Sequence, residues 1–207
     1  MIDLDAAGLS SQEAYRLLTC AVTPRPIAWV STLNAAGAVN LAPFSCYTYV
    51  SPDPPLVLIA MGGRAGGKDT LRNAQRTGEF TINTVDFALS RPMVDSSRRY
   101  PADISEAADL DVAMAPGCKV KVPRVSASLV ALECVVHRVL EVGDGHHHSL
   151  LLGRVVCFRL AERIWTGEGI DMEAFRALGR LGGVLYARPG DIERIEPTAD
   201  ARFARGA

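Results

Sequence analysis

Gly62-Gly63-Arg64-Ala65-Gly66-Gly67-Lys68-Asp69-Thr70 carries the densest set of ligand-binding residue types in the sequence. Glycines let backbone N–H groups approach a ligand closely, and a helix that begins just after them adds free donors and a dipole suited to an anion. Lys68 contributes a point charge and Thr70 a hydroxyl donor, with Arg64 and Arg72 nearby. These types in this order predict a phosphate-binding corner. The competing reading is a glycine-rich surface turn in which Asp69 only caps the helix. The stretch also fits the first seven positions of a nucleotide P-loop, but Asp69 stands at the eighth, where Ser or Thr should bind magnesium. A carboxylate there would face the phosphate, so a nucleoside triphosphatase is the weaker alternative. No G-x-G-x-x-G occurs, and a nicotinamide cofactor would have to bind without the Rossmann phosphate turn.

Other candidate chemistry is thinner. In His146-His147-His148 only His146 and His148 could share a strand face. Apart from nearby Asp144, no Cys or carboxylate stands at ligand spacing, so a polar hairpin tip with one His reaching a pocket is favoured and no metal is expected. His137 is expected to be structural. Neither Ser31 nor Ser45 sits on the glycine-flanked elbow of a Ser-His-Asp hydrolase, and Cys46 reads as a small buried hydrophobe before a reactive thiol. Cys20, Cys46, Cys118, Cys134 and Cys157 form no C-x-x-C pair, which predicts reduced thiols instead of a disulfide framework or zinc site.

The elements that must position these groups follow from periodicity. Residues 10–21 open with Ser10-x-x-Glu13, a capping-box pattern, and place Ala14, Leu17 and Leu18 on one helical face. Pro24 and Pro26 then force extended backbone. Residues 27–32 predict a strand, Asn34-Ala35-Ala36-Gly37 a turn, and 39–50 a second strand with a bulge or edge at Pro43. Residues 56–61 form a wholly apolar strand, 69–76 a short helix stopped by Gly78, and 79–85 another strand. Residues 90–115 are polar and irregular, and predict helices and loops covering the sheet. In 128–142, Val130, Leu132, Cys134, Val136, Leu140 and Val142 alternate with Glu133, His137 and Glu141, the pattern of a half-buried strand. Gly143-Asp144-Gly145 marks a turn, and 149–160 returns as its partner. Several strands without regular helical crossovers predict a mainly β (α+β) fold, an antiparallel barrel with peripheral helices.

The 207 residues suit a single domain over 1–197, with 198–207 as a frayed tail. Apolar residues make up 48 % and charged residues 22 %, a globular composition. With 22 Lys plus Arg against 23 Asp plus Glu, the net charge of −1 offers no electrostatic footprint for nucleic acid. The acidic N-terminus lacks signal-peptide order, and no apolar run approaches the roughly 18 residues that span a bilayer. A soluble cytoplasmic protein with no membrane partner is expected.

Several motifs in order resemble the flavin reductase-like FMN-binding split β-barrel family. They are Thr23-Pro24-Arg25-Pro26-Ile27-Ala28-Trp29-Val30-Ser31-Thr32, Asn40-Leu41-Ala42-Pro43-Phe44-Ser45, Ser51-Pro52-Asp53-Pro54-Pro55, and Lys68-Asp69-Thr70 with Asn73. Gly78-Glu79-Phe80 with Asn83, Gly153-Arg154-Val155, and Leu178-Gly179-Arg180-Leu181-Gly182-Gly183-x-x-Tyr186 continue the match from about residue 15 to 190. The resemblance implies a split barrel, usually a homodimer, with FMN near the subunit interface and FAD as an alternative flavin. It implies that Asn40, Leu41, Ala42, Pro43 and Ser45 contact the ring or ribityl chain, with Ser31 and Thr32 close by. Lys68, Asp69 and Thr70, helped by Arg64, would hold the phosphate; His148 and Arg180 would line the open face. Pro43, by breaking a ladder, would free backbone donors for the flavin edge. The implied activity is hydride transfer from NAD(P)H to flavin, with reduced flavin passed to a partner monooxygenase. No side chain need act as acid or base. The alternative is a flavin-binding or electron-carrier protein with tightly held FMN and no catalysis.

Overall fold

The computed structural model describes residues 1–62, 67–144 and 148–195. Helix α1 (Ser11–Ala21) starts where the capping box predicts: the Ser10 hydroxyl accepts the Glu13 N–H, and the Glu13 carboxylate accepts the Ser10 N–H at 2.9 Å. Its predicted apolar face is left open, however, since no residue of α1 is buried and Leu17 and Leu18 are exposed. The two prolines end the helix, and strand β1 (Arg25–Pro26) follows. The buried Arg25 guanidinium donates to the carbonyls of Val22 at 2.6 Å and Leu181 at 3.0 Å, tying the helix exit to the distant C-terminal hairpin.

The chain continues through β2 (Ala28–Leu33), β3 (Val39–Phe44), β4 (Tyr47–Pro52), β5 (Pro55–Gly62), α2 (Asp69–Thr77) and β6 (Glu79–Asn83). Next come the short helices α3 (Ser90–Asp95) and α4 (Glu106–Asp109) and two-residue strands β7 (Met114–Ala115) and β8 (Arg124–Val125). The long hairpin β9 (Val130–Val142) and β10 (His148–Leu160) precedes β11 (Gly179–Arg180) and β12 (Tyr186–Ala187). Seven strands make one wholly antiparallel sheet in the order β3-β2-β6-β9-β10-β5-β4. The successive strands β3 and β4 thus lie at opposite edges, joined only through Ser45 and Cys46. The sheet curls far enough to bring β3 against β5, yet no ladder closes it. This is the expected mainly β split barrel.

Three local expectations are corrected. The strand predicted over 39–50 is two strands; of the bulge or edge expected at Pro43 the structure shows the edge, since pairing runs without a shift from Leu33↔Val39 to Ala28↔Phe44. Pro43 is tolerated because β3 is an edge. The Leu41 N–H points away from β2, toward Glu106, and residues two apart on a strand share that direction. Pro43 therefore lacks a donor only where no ladder bond was due, and frees none. Second, Glu133 is fully buried instead of solvent-facing, because both faces of β9 are covered over Val130–Cys134. Third, Cys46 is exposed.

What covers the outer face at Glu133 is a strap, residues 118–125, that crosses the strands and is pinned by polar side chains from each in turn. Glu133 of β9 accepts the N–H groups of Cys118 (2.8 Å), Lys119 (2.6 Å) and Val120 (3.3 Å). Glu79 of β6 accepts from Lys121 N–H at 2.8 Å, and the Thr81 hydroxyl donates to the Val122 carbonyl at 3.3 Å. The Ser31 hydroxyl of β2 donates to the Pro123 carbonyl at 2.6 Å, and Asn83 Oδ1 accepts the Val125 N–H at 2.8 Å. A strap whose only strand pairing is that of β8 with β7 at its trailing end thereby has its other backbone groups held by side chains, which burial demands.

Two cores result. Ala28, Val30, Ile59, Met61, Phe80, Ile82, Leu132 and Leu151 fill the barrel. Ile27, Trp29, Leu41, Val85, Met93 and Leu178 form a second core on the outer side of β2, beneath α3 and α4. The period-two alternation of β2 feeds both. Trp29 Nε1 donates to the Ser96 hydroxyl at 2.9 Å, which fixes the exit of α3 over the β3 edge. Among the described residues no helix is long and apolar enough to cross a membrane. The expected tail, 198–207, lies outside the described residues.

Candidate functional site

The predicted phosphate corner opens helix α2. Gly67 takes φ +70°, a left-handed conformation suited to glycine, and Lys68 is the N-cap residue with no capping side-chain bond. The first intrahelical bond runs from Arg72 N–H to the Lys68 carbonyl at 3.1 Å, so the N–H groups of Asp69, Thr70 and Leu71 lie ahead of the ladder. Asp69 does not cap the helix; its carboxylate pairs with Arg72 in the next turn. That pairing draws its charge away from the donors. Lys68 is exposed beside them. Gly78 ends the helix at φ +74°, as its position predicts.

A groove of about 1060 Å³ runs from this corner along the free edge of β3. One wall is Gly62, Gly67, Lys68, Asp69 and Thr70; the floor is Asn40, Ala42, Pro43 and Phe44; the far wall is Glu106 and the 96–100 turn. A smaller cavity sharing Pro43, Phe44 and Ser97 continues it to Ser45, Arg180 and Tyr186. Arg180 lies 4.5 Å from the centroid of the Tyr186 ring and donates to its hydroxyl and to the Gly183 carbonyl. These contacts set its guanidinium at the far end of the groove.

A buried polar network fixes the distance between corner and edge. Asn40 Oδ1 accepts the hydroxyls of Thr70 (3.2 Å) and Thr32 (3.3 Å), and Thr32 accepts from Asn73 Nδ2 at 3.2 Å. Asn40 Nδ2 donates to Glu106 Oε1 at 2.8 Å, while Glu106 Oε2 takes the Leu41 N–H at 2.9 Å. The Thr70 hydroxyl, expected as a phosphate donor, is thus spent on Asn40, and only its N–H is left for a ligand at the corner. Glu106 was hidden in a stretch that reads as polar and irregular. Its one signal is the capping Ser105, whose hydroxyl accepts the Ala108 N–H and starts α4.

Of the expected contact residues, the structure gathers Asn40, Ala42, Pro43, Ser45, Lys68, Asp69, Thr70 and Arg180 on the groove and its extension. Thr32 stands behind Asn40. Ser31 and Leu41 turn to the other face of the sheet, Ser31 to the strap and Leu41 to the second core, so only the Leu41 backbone reaches the edge. His148, exposed at the start of β10, faces the groove wall: a Cβ on Gly62 would lie 3.3 Å from its Nε2. Arg64, His146 and His147 lie outside the described residues. Among the described residues no group of His, Cys, Asp and Glu could hold a metal ion.

A family model described as the flavin reductase like domain matches residues 20–170, and the chain belongs to that family. It is 39 % identical over 198 residues to a protein of Halalkalibacterium halodurans, covering 93 % of this chain and 95 % of that one. Nitrilotriacetate monooxygenase component B from Bacillus cereus superposes with a TM-score of 0.90 at 30 % identity, covering 94 % of this chain and 98 % of its own. The 2-nitrobenzoate 2-nitroreductase of Pseudomonas fluorescens gives 0.87 at 32 % identity, covering 95 % and 97 %.

Proposed function

We propose that this protein is an NAD(P)H-dependent flavin reductase that takes FMN, with FAD as an alternative, and passes reduced flavin to a monooxygenase. The observation that carries the reading is the uncapped start of α2 opening onto a groove along a sheet edge. An anion with a long planar group attached fits that pairing of donors and edge. The N–H groups of Asp69, Thr70 and Leu71, with Lys68, would hold the phosphate. The β3 edge from Asn40 to Ser45 would lie along the ring, kept in place by Glu106 through Asn40 and the Leu41 N–H. Arg180 would present positive charge at the far end, where charge gained by the ring can be stabilised. When bound, the flavin supplies the hydride acceptor. The monooxygenase component among the structural relatives supports the link to a partner oxygenase. A homodimer in the cytoplasm is part of the proposal, and the exposed Tyr15, Leu17 and Leu18 of α1 and Tyr49 and Val50 of β4 supply apolar surface for it.

The test is a visible spectrum of protein with FMN, before and after anaerobic NADH and then NADPH. A perturbed flavin band that bleaches with turnover is expected. A perturbed band that persists refutes the reductase and leaves the non-catalytic flavin carrier; an unperturbed band refutes flavin binding. Lys68→Ala should weaken FMN by about 1.5–3 kcal/mol, roughly 10- to 150-fold in Kd, by removing one charge-assisted contact. Riboflavin, which has no phosphate, should bind both proteins equally.

A further inference from the structure

The strap begins at Cys118, and its backbone is fixed over the sheet by the Glu133 carboxylate, which accepts the Cys118 N–H at 2.8 Å. Glu133 is in turn the ladder partner of Cys157 on β10, where a one-residue bulge at Val156 resets the register. Ladder partners project from the same face of a sheet. The Cys157 side chain therefore rises on the strap side, beside the carboxylate that holds Cys118. The two cysteines are thus brought together at one carboxylate. Both are free, and Cys118 is exposed while Cys157 is partly covered. Neither belongs to the groove or to the network behind it.

We propose that Cys118 and Cys157 are an oxidisable pair that closes into a disulfide on exposure to a hydroperoxide, stapling the leading end of the strap to β10. The exposed Cys118 sulfur attacks a peroxide oxygen, the O–O bond breaks, and the departing hydroxide takes up the proton of the Cys118 thiol and leaves as water, giving a sulfenic acid on Cys118. Cys157 sulfur then attacks Cys118 sulfur; the S–O bond breaks, the S–S bond forms, and the Cys157 proton departs with the hydroxyl as a second water. Two thiols and one hydrogen peroxide become one disulfide and two waters. Burial, followed by the Glu133 carboxylate and Cys118, pushes the Cys157 thiol up, with Arg159 opposing. Cys118, the exposed thiol of the two, meets the oxidant, and Cys157 resolves the sulfenic acid. A dithiol reductant reverses the step by exchange.

The inference is independent of flavin binding, and its test reads mass alone. The full-length protein is treated with stoichiometric hydrogen peroxide, denatured, alkylated and mapped by mass spectrometry with and without dithiothreitol. The expected result is three alkylated thiols of the five, and a reducible cross-link joining the peptides of Cys118 and Cys157. The cross-link should be absent from Cys118→Ser and from Cys157→Ser and retained in Cys46→Ser. Five alkylated thiols would overturn the proposal. So would accumulation of sulfinic acid on Cys118 without a cross-link, or cross-links through Cys20 or Cys46 between chains.

Discussion

Removing the Glu106 carboxylate should loosen the groove from beneath, and the structure sets the size of the effect. Glu106 is buried and accepts two hydrogen bonds, from Asn40 Nδ2 at 2.8 Å and Leu41 N–H at 2.9 Å. A bond to a charged acceptor is worth about 1.5–3 kcal/mol, and a buried donor left without a partner costs a comparable amount. Glu106→Ala strands both donors, but the side chain also lines the groove, so water can reach part of the vacated space. The expected loss is about 2–4 kcal/mol, which for a domain of this size lowers Tm by roughly 4–16 °C. Glu106→Gln keeps one acceptor and turns an amide NH₂ toward the other donor, so about half the loss remains. Thermal unfolding followed by circular dichroism gives both numbers, and FMN titration should show weaker binding in the same order. A Glu106→Ala protein that melts within about 1 °C of the parent would refute the argument, since two buried donors cannot lose a shared acceptor without cost.

The remaining predictions concern the barrel. An added Cβ at Gly153 would lie 2.2 Å from Cζ of the fully buried Phe80 ring, so Gly153→Ala should lower the urea midpoint by the equivalent of about 1–3 kcal/mol with an unchanged m-value. An unaltered midpoint would mean that the ring can move aside. Burial, then the nearby Cys134, raises the Tyr47 hydroxyl from 10.0 to about 12. The folded state therefore holds this proton more tightly than the unfolded chain, and its contribution is intact below pH 10 and lost as pH rises toward 12. Tyr47→Phe should flatten the decline of Tm across that window; an identical slope would show that Tyr47 does not set it.

Most of the barrel was legible because its signals are local. The capping box at Ser10 and Glu13, the Asn34 turn, the apolar run of β5, Gly78 after α2 and the β9–β10 hairpin each depend on neighbours in sequence. The start of α2 just after Lys68 was legible for the same reason. What failed depends on distant cover. Glu133 sits at a position that period two assigns to solvent, and only the strap, folded back from residues 118–120, makes it interior. Ser31 belongs to a ligand motif by type and order, yet the same strap claims its hydroxyl. Glu106 reaches Asn40 and Leu41 from about 65 residues away, and no periodicity encodes that. Leu17 and Leu18 show the reverse error: their helical spacing is correct, but nothing within the described residues covers them.

The placement of β3 and β4 at opposite edges governs the order in which the chain can assemble. Hairpins β2–β3 and β4–β5 form from local contacts, so each is available early during synthesis. Between them only Ser45 and Cys46 intervene, yet β3 and β4 do not pair, and the two hairpins enter the one sheet at its opposite edges. The piece that unites them is β9–β10, whose strands pair with β6 through 131–135 and with β5 through 148–154. Until the ribosome has released that hairpin, β5 and β6 each present a bare edge, and that of β5 is apolar along its whole length. The nascent chain is therefore most prone to aggregation before its last long hairpin arrives, and a translational pause short of residue 130 would lengthen that exposure.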